Sequence, residues 1–72
     1  SERELQRELN KIVRRILEIH REVSELHQRA VKLIRENDNS EELEEISRRI
    51  EELSKELEKL VREHDEIVKT IE

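Results

Sequence analysis

Three histidines and a few small polar side chains are the residues whose chemistry could go beyond packing. The histidines are His20, His27 and His64. Like them, Ser47 and Ser54 interrupt an otherwise apolar pattern. A nucleophilic site needs a histidine beside the serine, an acid that orients it and donors for an oxyanion. Neither the acid nor the donors can be recognised. We therefore expect no enzyme activity, no catalytic residue and no small-molecule substrate.

The same histidines are poorly spaced for a metal. His20 and His27 are two helical turns apart, about 10 Å along a helix axis, which is too far for one ion within a chain. Zinc-binding pairs on a helix usually sit four residues apart. His64 precedes Asp65, but neighbouring residues on a helix point about 100° apart. We expect neither a metal site nor a cofactor.

Composition excludes several classes of protein. The 72 residues include no Gly, Pro, Cys, Met or aromatic residue, and 49% of them are charged. A disulfide scaffold, a turn-rich β fold and a membrane span are therefore excluded. The net charge is −5, with no basic stripe for nucleic acid, so neither nucleic acid nor a membrane is an expected partner. We expect a soluble chain without a targeting signal.

Two runs of apolar residues follow the heptad spacing of coiled-coil helices. The second run is one residue out of phase with the first, and the slip falls on the polar stretch 37–40. The first run consists of Leu5, Leu9, Ile12, Ile16, Ile19, Val23, Leu26, Ala30 and Leu33. The second consists of Leu43, Ile46, Ile50, Leu53, Leu57, Leu60, His64, Ile67 and Ile71.

The pattern predicts an all-α fold: a single domain, 1–72, in which two antiparallel helices form a helix–loop–helix hairpin. Helix 1 covers about 2–36, the loop about 37–40 and helix 2 about 41–71. One continuous helix with a stutter is the alternative, which Asn37, Asp38 and Asn39 oppose.

Short polar residues are expected to cap these helices. Ser1 and Glu4 form a capping box at the start of helix 1. Asn37 can end that helix in the left-handed conformation. Ser40 or Asp38 can cap helix 2.

The apolar faces of the two helices differ in width. With Leu9 and Ile16 at heptad position a, positions b and e of helix 1 carry no formally charged residue. Positions a, b, d and e together span about 160° of helix 1, whereas the uncharged face of helix 2 spans about 100°. The b and e residues are Gln6, Asn10, Val13, Leu17, His20, Ser24, His27, Val31 and Ile34.

One neighbouring helix cannot cover the wide face of helix 1, so we expect an oligomer with helix 1 inside. The whole first heptad run, Leu5 to Leu33, is then the expected oligomer interface. A homotrimer of two rings of helices fits the unequal widths best. A four-helix dimer, of identical or different chains, remains open.

Polar residues interrupt the apolar pattern and are expected to form buried hydrogen-bond networks. In an antiparallel hairpin, facing residues have a constant sum of residue numbers. A sum of 74 pairs His20 with Ser54 and His27 with Ser47, whereas 81 pairs His20 with Val61. Polar satisfaction favours 74. The candidate network residues are Gln6, Asn10, His20, Ser24, His27, Ser47, Ser54 and His64.

Simpler interpretations stand beside the network. Gln6 and Asn10, near the open end, can be solvated. Ser24 can fill space and bond to the backbone of its own helix. The histidines can be half-exposed residues at the edge of the face.

The segments EIHREVSELHQRAVKLI and EELSKELEKL, with strict heptads, Leu/Ile/Val cores and isolated polar seam residues, resemble de novo designed helical hairpins with built-in hydrogen-bond networks. The resemblance covers the whole chain and is one of style. It implies that Ser47, Ser54, His20, His27 and His64 are network members. Two such classes fit: heterodimers of hairpins, whose networks encode pairing, and pH-responsive homotrimers. A natural tethering coiled coil is the alternative.

We therefore expect one of two functions. The first is a homo-oligomer that acid dissociates at about pH 4–6, because protonation turns a histidine acceptor into a donor and buries a charge. The second is one chain of a designed heterodimer whose networks select the partner. A monomeric spacer is a third, less specific class.

Overall fold

The computed structural model describes residues 1–38 and 41–72 and consists of two helices packed side by side. Helix α1 spans Glu2–Arg35 and helix α2 spans Glu41–Ile71. The hairpin measures 54 × 15 × 14 Å. The all-α helical hairpin predicted from the heptads is confirmed. Among the residues described, neither helix is long and apolar enough to cross a bilayer.

Both ends of α1 are capped by short polar residues. At its start, the Ser1 hydroxyl accepts a hydrogen bond from the Glu4 amide at 3.4 Å. At its end, Asn37 has the left-handed φ of 55° that the sequence predicts for it. The amide of Asn37 donates to Ile34 and that of Asp38 donates to Leu33, which completes a Schellman motif. The predicted cap Ser40 lies, with Asn39, outside the described residues.

The core of the hairpin is a single line of side chains between the helices. In α1 every fully buried residue occupies heptad position d: Ile12, Ile19 and Leu33. In α2 the fully buried residues, Ile46 and Leu53, are again at position d. The a residues of both heptad runs are half-buried, except Ile71 at the end of α2, which is exposed. Helix α2 therefore covers α1 from the d side and leaves its other side open.

This core is small for the length of the chain. Among the residues that the structure describes, five side chains are buried, all of them aliphatic. Chains below about 70–80 residues seldom draw more than about 3–5 kcal/mol from one core. The hairpin alone thus has little apolar burial to offset the entropy of ordering two long helices.

Candidate assembly interface

A strip of uncharged side chains runs along α1 beside its a row, and α2 does not cover it. We call the b and e residues of α1 the open face, and every one of them is exposed. Two large apolar side chains stand out, with Leu17 59% and Ile34 62% exposed. The open face consists of Gln6, Asn10, Val13, Leu17, His20, Ser24, His27, Val31 and Ile34.

The predicted interface residues divide between the two sides of α1. Ile12, Ile19 and Leu33 are already buried within one chain. The a residues remain half-buried at the border of the open face, and two d residues, Leu5 and Leu26, are also half-buried. These half-buried residues are Leu5, Leu9, Ile16, Val23, Leu26 and Ala30. The a row and the open face are therefore the uncharged surface of α1 that the hairpin leaves accessible.

Three two-pronged ion pairs hold the opposite flank of the hairpin. Arg15 donates to Glu56 through Nε at 2.6 Å and Nη2 at 2.8 Å. Arg49 donates to Glu22 at 2.7 and 3.2 Å. Arg29 donates in the same way to Glu42. Two parallel bonds fix the orientation of both side chains, which is the geometry that arginine and carboxylate favour.

These pairs also set the alignment of the helices. The two residue numbers sum to 71 in every pair, so the helices are antiparallel. Charges alternate along each flank: Arg15, Glu22, Arg29 on α1 and Glu42, Arg49, Glu56 on α2. A slip of one heptad would bring like charges together, and like charges repel. The charge pattern therefore selects this register over its neighbours.

The ion pairs shift the titration of their members. Hydrogen bonds from the arginines hold the pKa of Glu22, Glu42 and Glu56 below the ordinary value of 4.5, against an opposing effect of desolvation. The hydrogen bonds to Glu56 and Glu18 raise the pKa of Arg15. The carboxylates on this flank are thus held in their charged form.

His20 and Ser54 line the same cleft on the open side of the hairpin. The cleft, of about 170 Å³, is otherwise apolar and is bordered by Ile16, Ile19, Val23 and Leu57. Their residue numbers sum to 74, so this placement agrees with the register of 74 rather than 81. No hydrogen bond joins His20 to a serine within the described residues, and both side chains are exposed. Their membership in a network stays a prediction.

His27 lies on α1 among residues of its own helix. It borders a shallow depression with Ser24, Val31 and Arg35. Its predicted partner Ser47 is exposed, and the described residues show no hydrogen bond between the two. The pairing of His27 with Ser47 also stays a prediction.

The remaining polar candidates lie towards the open end of the hairpin. Gln6 Nε2 donates to Asn10 Oδ1 at 3.2 Å, one turn apart on the exposed side of α1. His64 is half-buried, and its Nδ1 lies 3.4 Å from Asp65 Oδ1. Neighbouring residues on a helix point about 100° apart. Both side chains are long enough to meet despite that divergence.

Within residues 1–38 and 41–72, no group of three or more His, Cys, Asp or Glu side chains could hold a metal ion. What the arrangement can do is pack: one flank is closed by ion pairs, and the other is an uncharged surface that carries two histidines.

Sequence reasoning missed the Arg–Glu pairs. The signal was present, because Arg15, Glu22 and Arg29 recur every seven residues with alternating sign and α2 carries the opposite order. Opposite charges at matching positions of two antiparallel heptads indicate facing flanks.

Comparison with protein-family models, with curated proteins and with solved structures gives no match for this chain.

Proposed function

We propose that this chain is a self-assembling helical hairpin that forms a homo-oligomer, with a trimer favoured, and that acid dissociates it. One observation carries the proposal: the open face is uncharged and exposed along all of α1, including Leu17 and Ile34. Large contiguous apolar patches on soluble proteins mark interaction sites. A second copy of the chain carries the same uncharged surface, so assembly requires no other kind of molecule.

The unequal faces favour three copies. Helix α2 covers only the d side of α1, so the a row and the open face need more than one further helix. In a trimer with α1 inside, each α1 contacts its own α2, two other α1 helices and a neighbouring α2. The narrower uncharged face of α2 then suits the outer ring.

Histidines on the open face would make this assembly sensitive to acid. The pKa of a free imidazole is about 6.5, and burial disfavours its charged form. The dissociated chains therefore bind more protons than the assembly. The assembly therefore has its full stability above the pKa of free imidazole and loses stability as the pH falls below it. His20 and His27 lie on this face, and each oligomer carries several copies, so the loss is cooperative.

Native mass spectrometry of the chain purified alone tests assembly, and a pH series tests the trigger. We expect a multiple of 8.8 kDa at pH 7 and dissociation at about pH 4–6. A variant with His20, His27 and His64 all replaced by Asn keeps hydrogen-bonding side chains and should lose the transition. Circular dichroism and light scattering that stay unchanged from pH 7 to 4 would count against acid dissociation.

The heterodimer is the second candidate, favoured by polar residues of the open face, such as His27 and Ser24, whose side chains make no hydrogen bond within the described residues. A chain that aggregates alone and forms a 1:1 complex with a second hairpin would support it. A folded monomer at low micromolar concentration would contradict both candidates and leave a spacer.

A further inference from the structure

Two rows of opposite charge border the uncovered side of the hairpin. Around the circumference of α1, heptad position f comes next to the open face. This position holds four arginines and Gln28. Arg14 borders a depression with Asn10 and Val13, and Arg35 borders another with His27 and Val31. The arginine row therefore lies directly beside the open face. Its members are Arg7, Arg14, Arg21 and Arg35.

On α2, the corresponding border is acidic. Position b follows the e residues of α2, of which Ser54 lines the cleft with His20. All four b residues are acidic and exposed: Glu44, Glu51, Glu58 and Asp65. Within the described residues, no member of the acidic row or of the arginine row makes an ion pair with the other helix of the hairpin.

The two rows also match in height along the helices. Rotation about an axis parallel to the helices does not move a residue along that axis. Residues of α1 and α2 that lie at the same level in two different copies therefore have the same sum of residue numbers as residues that lie level within one hairpin. Contacts within the hairpin have sums of 71 and 74. Heptad spacing allows sums of 65, 72 or 79 between the two rows, and 72 falls inside that interval. The level pairs are Arg7 with Asp65, Arg14 with Glu58 and Arg21 with Glu51.

We infer that further copies of this chain close the open face around an axis parallel to the helices, with the α1 arginine row of each copy facing the α2 acidic row of the next. The inference rests on the proposed homo-oligomer and specifies its interface. A two-fold axis perpendicular to the helices would instead place α1 beside α1, so that arginine rows face each other. Charge complementarity across the contact selects the parallel axis.

Charge reversal at the two rows tests the contact. The first variant is Arg14→Glu with Arg21→Glu, and the second is Glu51→Arg with Glu58→Arg. A third variant combines all four substitutions. The control, Arg48→Glu with Arg62→Glu, makes the same charge change as the first variant on exposed α2 residues outside the acidic row. Mass is measured by sedimentation and native mass spectrometry, and helicity by circular dichroism.

We expect the first and second variants to remain helical but to fall to the mass of one chain, 8.8 kDa, at concentrations where the parent is assembled. The third variant restores complementary rows and should regain the mass of the parent, as should the control. Assembly of the first variant equal to that of the control would overturn the inference. The inference would also be overturned if the third variant stayed dissociated although the first and second variants are folded. If the parent itself is a single chain, the proposed function fails instead.

Discussion

Arg49 and Glu22 form the central one of the three ion pairs, and their contribution to the hairpin can be isolated. Arg49→Glu would set two carboxylates against each other where Arg49 now donates two hydrogen bonds to Glu22. We expect a lower melting temperature for the single variant and recovery when Glu22→Arg is added. Thermal unfolding followed by circular dichroism at one chain concentration measures both.

Salt gives this prediction its control. Both side chains are partly exposed, and the Debye length falls to about 3 Å at 1 M salt. The difference between the single and double variants should therefore shrink as salt is added. Equal melting temperatures of the parent and Arg49→Glu at low salt would show that the pair does not hold the flank.

The glutamates of these ion pairs lose their charge only in acid below their ordinary pKa. Because the arginines lower the pKa of Glu22, Glu42 and Glu56 below 4.5, their contribution to stability is complete above that value. It is lost as the pH falls through the lowered pKa. A transition seen above pH 4.5 therefore does not come from these ion pairs.

At the scale of the helices, the two sides of α1 should respond differently to the same truncation. Leu53 of α2 is fully buried against the d side of α1, whereas Leu17 is 59% exposed. Leu53→Ala should cost about 2–5 kcal/mol of unfolding free energy. Leu17→Ala should leave the hairpin folded and weaken its assembly.

Urea unfolding and sedimentation separate these two effects. For Leu53→Ala we expect a lower midpoint at every chain concentration. For Leu17→Ala we expect a higher dissociation constant with helicity kept. A Leu17→Ala chain that unfolds as readily as Leu53→Ala would mean that the open face is part of the hairpin core.

Much of this arrangement could be predicted from the sequence, because heptad phase dictates which residues share a face. The phase slip at Asn37 located the turn, and its left-handed φ of 55° follows from the side chain's tolerance for that conformation. The side from which α2 covers α1 could not be predicted from the apolar residues alone. An uncharged arc of about 160° offers several equivalent contacts, and the alternating charges of Arg15, Glu22 and Arg29 select one of them.

The hydrogen bonds of the polar residues depend on more than phase. His20 and Ser54 share a cleft, as the register of 74 requires, but both are exposed, so water competes for their donors and acceptors. A bond between them gains strength only when another chain excludes that water. We therefore expect His20 and Ser54 to bond to each other only in the proposed assembly.

At the scale of the whole molecule, mixing two charge variants tests whether the proposed assembly contains an even or an odd number of copies. The variant Arg14→Glu with Arg21→Glu is acidic at the centre of both rows, and Glu51→Arg with Glu58→Arg is basic at the centre of both rows. When the two are mixed, an alternating ring with an even number of chains has only complementary contacts. A ring of three must contain one contact between like charges.

Since a trimer is favoured, we expect the equimolar mixture to remain largely dissociated under conditions where the fourfold variant, with its rows exchanged, assembles fully. Native mass spectrometry distinguishes the chains if one is isotopically labelled. A stable 1:1 dimer in the mixture would replace the three-fold ring with a two-fold four-helix bundle while keeping the same contact between rows. Like-charge contacts cost more where water is excluded, so this outcome also reports how closely the arginine and acidic rows approach in the assembled state.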